Sequence, residues 1–537
     1  PRRTTYGRSP IELLCMLTAS YPSTRTSSLT RRRSCNGFRL SGVLLYAGAA
    51  VASGSAACSA GYDADGSALM QRGPPRVLAE GAGVGKEVLK WGKVRVLTTI
   101  TEQPNFTIGG VQVVVRSVVP VFPPDGKDPY MAFVTNFDEE AWLKLNSTDS
   151  GLACTSGERP GFSSPVEAFG GDVWDRIYWS RWTAVLKCAW PAEWRHRRCH
   201  DVRLADHGEE TGKYQTCHDP ELAQEGSRYD LAACVAPVWD DPKLPQSSGA
   251  MMLPQWLEYN VQRGVQHFLV YTTMETDERQ YAVLRPFLDA GLMTQIRLDV
   301  GPLVPLHGPE KTQQLVINDC LHRMRGRTTW LMTSSDVDEY NVFPSAPRGE
   351  PLHESLRAAV GDRSVHAVTY GFLQFLHPDM PYENLQISSE LREAEIPNIC
   401  PKLFVRPDLV ECMFVHWPMA AARGTKNLAL PSANLSTQHY RRTRPEVDID
   451  NVTVDRRLTH EVRDLDAALT RRYGQPWRAW APRLMPPGWD GEARAEEGAM
   501  VQVDRLEARP GAQALVRFMA GLREPAFIEG MFWNVAG

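Results

Sequence analysis

Between Trp256 and Thr333 the chain alternates helix-period and strand-period blocks, and this alternation limits its fold more than any other feature. Residues 256–263 have the apolar spacing of an amphipathic helix, with Gly264 as its stop. His267 to Tyr271 reads as a buried strand, and 281–290 as a helix ending at Gly291. Residues 293–298 form a second strand, 313–324 a further helix, and 329–333 a third strand. This order predicts an α/β fold built on a mostly parallel, doubly wound sheet. Such sheets bind ligands beyond the carboxyl ends of their strands.

The third strand runs into three carboxylates within four residues: Asp336, Asp338 and Glu339. A buried strand cannot hold that much negative charge, so the acids belong where the chain leaves the sheet. Asp336 and Asp338, at i and i+2, can converge on one hard divalent cation, which in turn can hold nucleotide phosphates. Surface loops also produce Asp-x-Asp by chance. What distinguishes this one is the buried strand leading into it and the self-repulsion a cation would relieve.

The 537 residues exceed a single compact core and suggest several domains. Residues 1–85 read as a leader followed by a Gly/Ala/Pro-rich stem. Within the leader, Arg31–Arg33 precede an apolar stretch at Gly42–Ala52 and small residues through Ala60, the order of a secretory signal. That stretch is about half of the roughly 20 residues a spanning helix needs, so a weak signal-anchor competes with a cleaved signal. A Ser/Arg-rich leader without structure is the plain alternative.

Residues 86–235 are rich in β-branched runs (94–100, 111–119, 176–182, 184–188) and predict a small all-β, sandwich-like module. Its Trp residues are candidates for sugar contact or for core. Residues 236–480 hold the alternating α/β domain, and 481–537 read as a helical appendage. A net charge of −4, with no basic helix and no zinc-finger spacing, gives no case for nucleic acid. Eight cysteines follow the leader, at 154, 188, 199, 217, 234, 320, 400 and 412, without a C-x-x-C pair. That pattern points to disulfides over zinc, with buried thiols as the alternative. Four N-glycosylation sequons begin at Asn105, Asn146, Asn434 and Asn451.

Several blocks occur in an order that resembles a known family. They are 256–260 with 264–271, then Gln314 with Asn318–Leu321, and then Trp330–Met332 with Asp336–Tyr340. Cys400–Pro407 with Val415-His416, and His439–Arg441, complete the series. Together they resemble glycosyltransferase family 92, the DUF23 domain, over roughly residues 234–445. The resemblance implies a GT-A fold, a UDP-sugar donor (UDP-galactose in its characterised branches), Mn²⁺ and inverting transfer onto a glycan. It also implies a Golgi enzyme facing the lumen.

On that resemblance, Asp338 holds Mn²⁺, with Asp336 acting directly or through water, and His416 or His439 completes the set. Lys402, Arg441 and Arg442 would offset phosphate charge. Tyr271 and Thr272 would meet the uracil or ribose, and Gln314 and Asn318 fall in the donor-side blocks. The base an inverting reaction needs would be Asp379 or Glu383, in a loop that departs from the family's Gly-rich version. Two rival readings are a catalytically dead glycan-binding scaffold and another metal-dependent nucleotide-processing enzyme. No Gly-x-Ser-x-Gly elbow supports a serine hydrolase.

Overall fold

The computed structural model of the protein describes residues 98–485, apart from 102, 124–126, 138, 146–149, 171–181, 218–228, 239–248, 274–275, 277, 300–302, 334, 377–383, 394–400 and 442–451. The expected leader and stem, and the appendage from 486 onward, lie outside the described residues. Among the described residues, no helix is long and apolar enough to cross a membrane.

The strands of the first half are β1 (Thr98–Thr101), β2 (Phe106–Ile108), β3 (Val111–Val121), β4 (Tyr130–Phe137), β5 (Leu152–Ser156), β6 (Ser163–Gly170), β7 (Trp182–Ala189), β8 (Cys199–Asp206) and β9 (Glu209–Cys217). Helix α1 (Glu139–Leu145) follows β4. Strands β2 to β9 form one antiparallel sheet in the order β2-β3-β4-β7-β6-β5-β8-β9. Its two ends meet: the Thr216 hydroxyl of β9 donates to the Val118 carbonyl of β3 at 2.6 Å. The expected sandwich is therefore a single sheet curled around its own core of Phe106, Val113, Phe133, Leu186, Val202 and Tyr214. Trp190 and Trp194 are buried in that core, which answers the sugar-or-core question for these two. Disulfides join Cys154 to Cys188 and Cys199 to Cys217 within the module.

The rest of the chain builds a larger sheet. Its strands are β10 (Tyr229–Val235), β11 (His267–Thr273), β12 (Met293–Asp299), β13 (Thr328–Met332), β14 (Glu339–Val342), β15 (Val365–Leu376), β16 (Leu391–Glu393), β17 (Lys402–Val405), β18 (Val410–Met413), β19 (Pro418–Ala421), β20 (Lys426–Leu430), β21 (Ser436–Arg441) and β22 (Val452–Val454). Of these, β18 and β19 pair only with each other. The helices are α2 (Gly249–Gln262), α3 (Glu278–Asp289), α4 (Leu303–Met324), α5 (Leu352–Val360) and α6 (Thr459–Tyr473).

One half of this sheet is a parallel block in the order β1-β12-β11-β10-β13. Helices α2, α3 and α4 are the crossovers between successive strands of the block. All seven residues of β11 are buried, as a parallel strand covered on both faces must be. Its period of two divides them: Phe268 and Val270 pack with Trp256 and Phe287, while Leu269 and Tyr271 pack with Leu315 and Leu321. Beyond β13 the pairing turns antiparallel through β17 and β15. The result is a mixed α/β protein with large sheets.

Two strands correct the expected module boundary. Both β1 and β10 belong to the large sheet, so the antiparallel module is an insertion running from β2 to β9. The run Leu231–Val235 is apolar at every position, and its composition suits either sheet.

Helix α4 lies between the module and the large sheet, and a buried polar seam joins it to the module. The Asp319 carboxylate accepts from Ser117 Oγ at 2.5 Å, from Tyr271 Oη at 2.5 Å and from Arg323 Nε at 2.6 Å. Burial holds His322 neutral. Its Nδ1 then accepts from Tyr130 Oη at 3.0 Å, and Nε2–H donates to the Glu411 carbonyl at 3.2 Å. The Glu411 carboxylate takes Lys187 of the module and Arg325, each at 2.8 Å. A third disulfide, Cys234–Cys320, ties α4 to β10. Among the described cysteines only Cys412 is a thiol, and it is buried.

Candidate functional site

Past Met332 the chain leaves the sheet and turns sharply before β14. Glu339 N–H donates to the Asp336 carbonyl at 3.1 Å, and Asp336 N–H returns to Glu339 Oε2 at 2.9 Å. This closed turn spreads the three acids along a gradient of exposure: 48% for the Asp336 side chain, 23% for Asp338 and 1% for Glu339. They sit at the carboxyl edge of the parallel block, where the sequence puts them.

Strand β21 supplies the facing group. It pairs antiparallel with β14, and Glu339 and His439 are register partners. His439 Nε2 lies 3.3 Å from Asp338 Oδ2, and its Nδ1 lies 3.5 Å from Glu339 Oε1. One ligand atom from each of Asp338, Glu339 and His439 falls within 4.8 Å of the others. Among the described residues this is the one group of three or more such side chains that could hold a cation.

Lys402, at the start of β17, is buried beneath the acids. Its ammonium is 2.7 Å from Glu339 Oε1 and 3.5 Å from Asp336 Oδ2. Burial pushes the Glu339 carboxyl up to about 7, opposed by Lys402. For Lys402, burial works against the charged form, but Glu339 and Asp336 outweigh it and raise the ammonium above its usual range. The two directions pull apart, one favouring a proton on Glu339 and the other a full ion pair. The 2.7 Å contact favours the ion pair, while Asp336 and Asp338 favour the charge on Lys402 and oppose that on Glu339. On the other side, Gln313 of α4 donates to Asp336 Oδ1 at 3.4 Å.

The remaining sequence candidates fall elsewhere. His416 donates its Nδ1–H to the Pro401 carbonyl, 3.2 Å away, and is not in the cation group. Burial, with help from Lys402, lowers it to about 3, so it is neutral. The Tyr271 hydroxyl is committed to Asp319 in the seam. Thr272 accepts from Gln295 at 3.0 Å. Gln314 accepts from the Thr183 hydroxyl of the module. Asn318 is fully buried and staples α4 to β18, exchanging bonds of 2.8 Å with the Met413 carbonyl and amide.

Arg441 closes β21, while Asp379, Glu383 and Arg442 lie outside the described residues, as does the Arg441 side chain. Sequence reasoning gave Glu339 and Gln313 no role. Glu339 was visible as the third acid; Gln313 carried no signal of its own.

Residues 229–471 match the family model of Glycosyltransferase family 92. Two curated proteins of Arabidopsis thaliana are similar over part of the chain. Galactan beta-1,4-galactosyltransferase GALS3 is 31% identical over 104 residues, 19% of this chain and 20% of that protein. Galactan beta-1,4-galactosyltransferase GALS2 is 31% identical over 93 residues, 17% of each. The aligned segments thus span a fifth or less of the length of these relatives.

Proposed function

We propose that this chain, whose residues 229–471 are a glycosyltransferase family 92 domain, transfers a hexose from a UDP-sugar to a glycan with inversion at the sugar carbon. On this reading the parallel block and its continuation form a GT-A domain. The donor is UDP-galactose and the acceptor a β-1,4-linked galactan, in line with the names of the two plant relatives.

The observation that carries the reading is the convergence of Asp338, Glu339 and His439 within 4.8 Å at the carboxyl edge of parallel strands. Two carboxylates and an imidazole form a donor set suited to Mn²⁺. Asp338, Glu339 and His439 are the residues that would hold it. Bound there, the ion supplies positive charge to the departing diphosphate.

The chain's own groups do the rest. Lys402, in direct contact with Glu339, opposes the protonation that burial favours there. Asp336 is the most exposed acid, and Gln313 and Lys402 hold its two oxygens from opposite sides. It faces the incoming donor first. In the transfer, a carboxylate takes the acceptor hydroxyl proton while that oxygen attacks the anomeric carbon and UDP leaves. The segment carrying Asp379 and Glu383 supplies that base. Three disulfides and the sequons support a lumen-facing site of action in the secretory pathway.

The test is UDP release from UDP-galactose with a β-1,4-galactan acceptor and Mn²⁺, repeated with EDTA and with Asp338→Asn. Turnover that persists through both interventions would overturn the proposal. Turnover with a different UDP-hexose would change the donor and leave the site assignment standing.

A further inference from the structure

Two of the four sequons lie among the described residues, and the fold treats them differently. Asn105 is exposed just before β2, and the sequon hydroxyl at Thr107 is exposed as well, with only Phe106 between them buried. Asn434 is also exposed, on a turn closed by its own N–H to the Pro431 carbonyl at 2.8 Å. Its sequon partner is not accessible. Leu435 and Ser436 have no exposed surface, and Ser436 begins β21, paired with Val342 on one side and Gly371 on the other.

We infer that Asn105 and Asn434 are both N-glycosylation sites, Asn105 open to modification in the folded protein and Asn434 only before β21 enters its sheet. In the chemistry, the asparagine amide nitrogen attacks C1 of an oligosaccharide carried on a lipid diphosphate. A C1–N bond forms, the C1–O bond to the diphosphate breaks, and the lipid diphosphate leaves, taking up the proton the amide gives up. The enzyme recognises the sequon hydroxyl along with the asparagine. Thr107 can present that hydroxyl from the native surface; Ser436 cannot do so without pulling β21 out from between β14 and β15.

Three disulfides place the folding of this chain in an oxidising compartment, where the lipid-linked donor is also found. Asn434 lies on the turn before β21, and Ser436 at the start of that strand precedes His439 by three positions, roughly 10 Å at the usual rise, so a glycan on Asn434 would begin away from the acid cluster. The inference does not depend on the proposed transferase activity.

The experiment expresses the full chain behind an appended signal sequence in a eukaryotic cell and maps glycopeptides by mass spectrometry, alongside Asn105→Gln and Asn434→Gln. Each substitution is expected to remove one step of the gel shift released by peptide N-glycosidase. A mild reductant during synthesis delays disulfide closure and is expected to raise occupancy at Asn434 while leaving Asn105 unchanged. Folded, unglycosylated protein given purified oligosaccharyltransferase and lipid-linked oligosaccharide is expected to accept sugar at Asn105 alone. Absence of glycan at either asparagine in cells would overturn the inference. So would modification of Asn434 in the folded protein as readily as Asn105.

Discussion

Tyr271→Phe separates two roles for a residue at the edge of the parallel block. In the structure its hydroxyl is buried and donates to Asp319 at 2.5 Å, and burial holds the phenol far above its usual titration range. The substitution keeps the ring and the packing and removes one bond to a charged acceptor. Asp319 keeps Ser117 and Arg323, so the carboxylate is not orphaned. A hydrogen bond to a charged group contributes about 1.5–3 kcal/mol. At roughly 2.1 cal/mol/K of unfolding entropy per residue, a unit the size of residues 98–485 would lose roughly 2–4 °C in melting midpoint. Calorimetry reads that shift, and titration calorimetry with UDP and Mn²⁺ reads the affinity, which is expected to stay constant. A UDP affinity weakened tenfold, about 1.4 kcal/mol, with an unmoved midpoint would refute the seam assignment and return Tyr271 to the nucleotide.

Three further outcomes follow from other parts of the molecule. His439→Ala is expected to weaken Mn²⁺ binding by about tenfold or more, read by paramagnetic resonance of the free ion; unchanged affinity would remove His439 from the ligand set. Replacing Cys234 and Cys320 together by Ser opens a loop of 86 residues and is expected to cost at most about 4–5 kcal/mol of stability. A thermal midpoint equal to the parent's would show that the tie adds nothing to the packing of α4. His267 is buried and lowered to about 4, so it stays neutral in the fold while the unfolded chain takes up a proton below about 6.5. Stability is therefore expected to fall by about 3 kcal/mol as pH drops from 6.5 to 4. His267→Asn should flatten that slope, and an identical urea-midpoint profile for both proteins would contradict it.

The strands β11, β12 and β13 and the position of the acids were legible because period and charge are local properties. The orientation of α4 was not. Adjacent residues on a helix point about 100° apart, so Gln313 meets Asp336 while Gln314 meets Thr183, a partner 131 positions away. Polar residues at 314, 318 and 322 have the spacing of one helix face, and a ligand-facing stripe and a buried seam look alike until the module is docked against them. The same holds for Glu339. An acid at the start of a strand is tolerable with 1% exposure only because Lys402 and His439 arrive from β17 and β21. The choice between His416 and His439 likewise rested on a strand register that no spacing discloses.

The place of β1 in the large sheet bears on how the protein is made. Thr98 pairs with Ile296, so the strand leaves the ribosome and waits while about 200 further residues emerge, roughly 10–40 s at ordinary elongation rates. The curled module, whose strand partners all lie within residues 106–217, can close during that interval. Until β12 arrives, β1 has no strand partner in its own chain, and its backbone groups are left to water or to other strands. The large sheet therefore cannot be completed until the chain has been made at least as far as Ile296–Asp299.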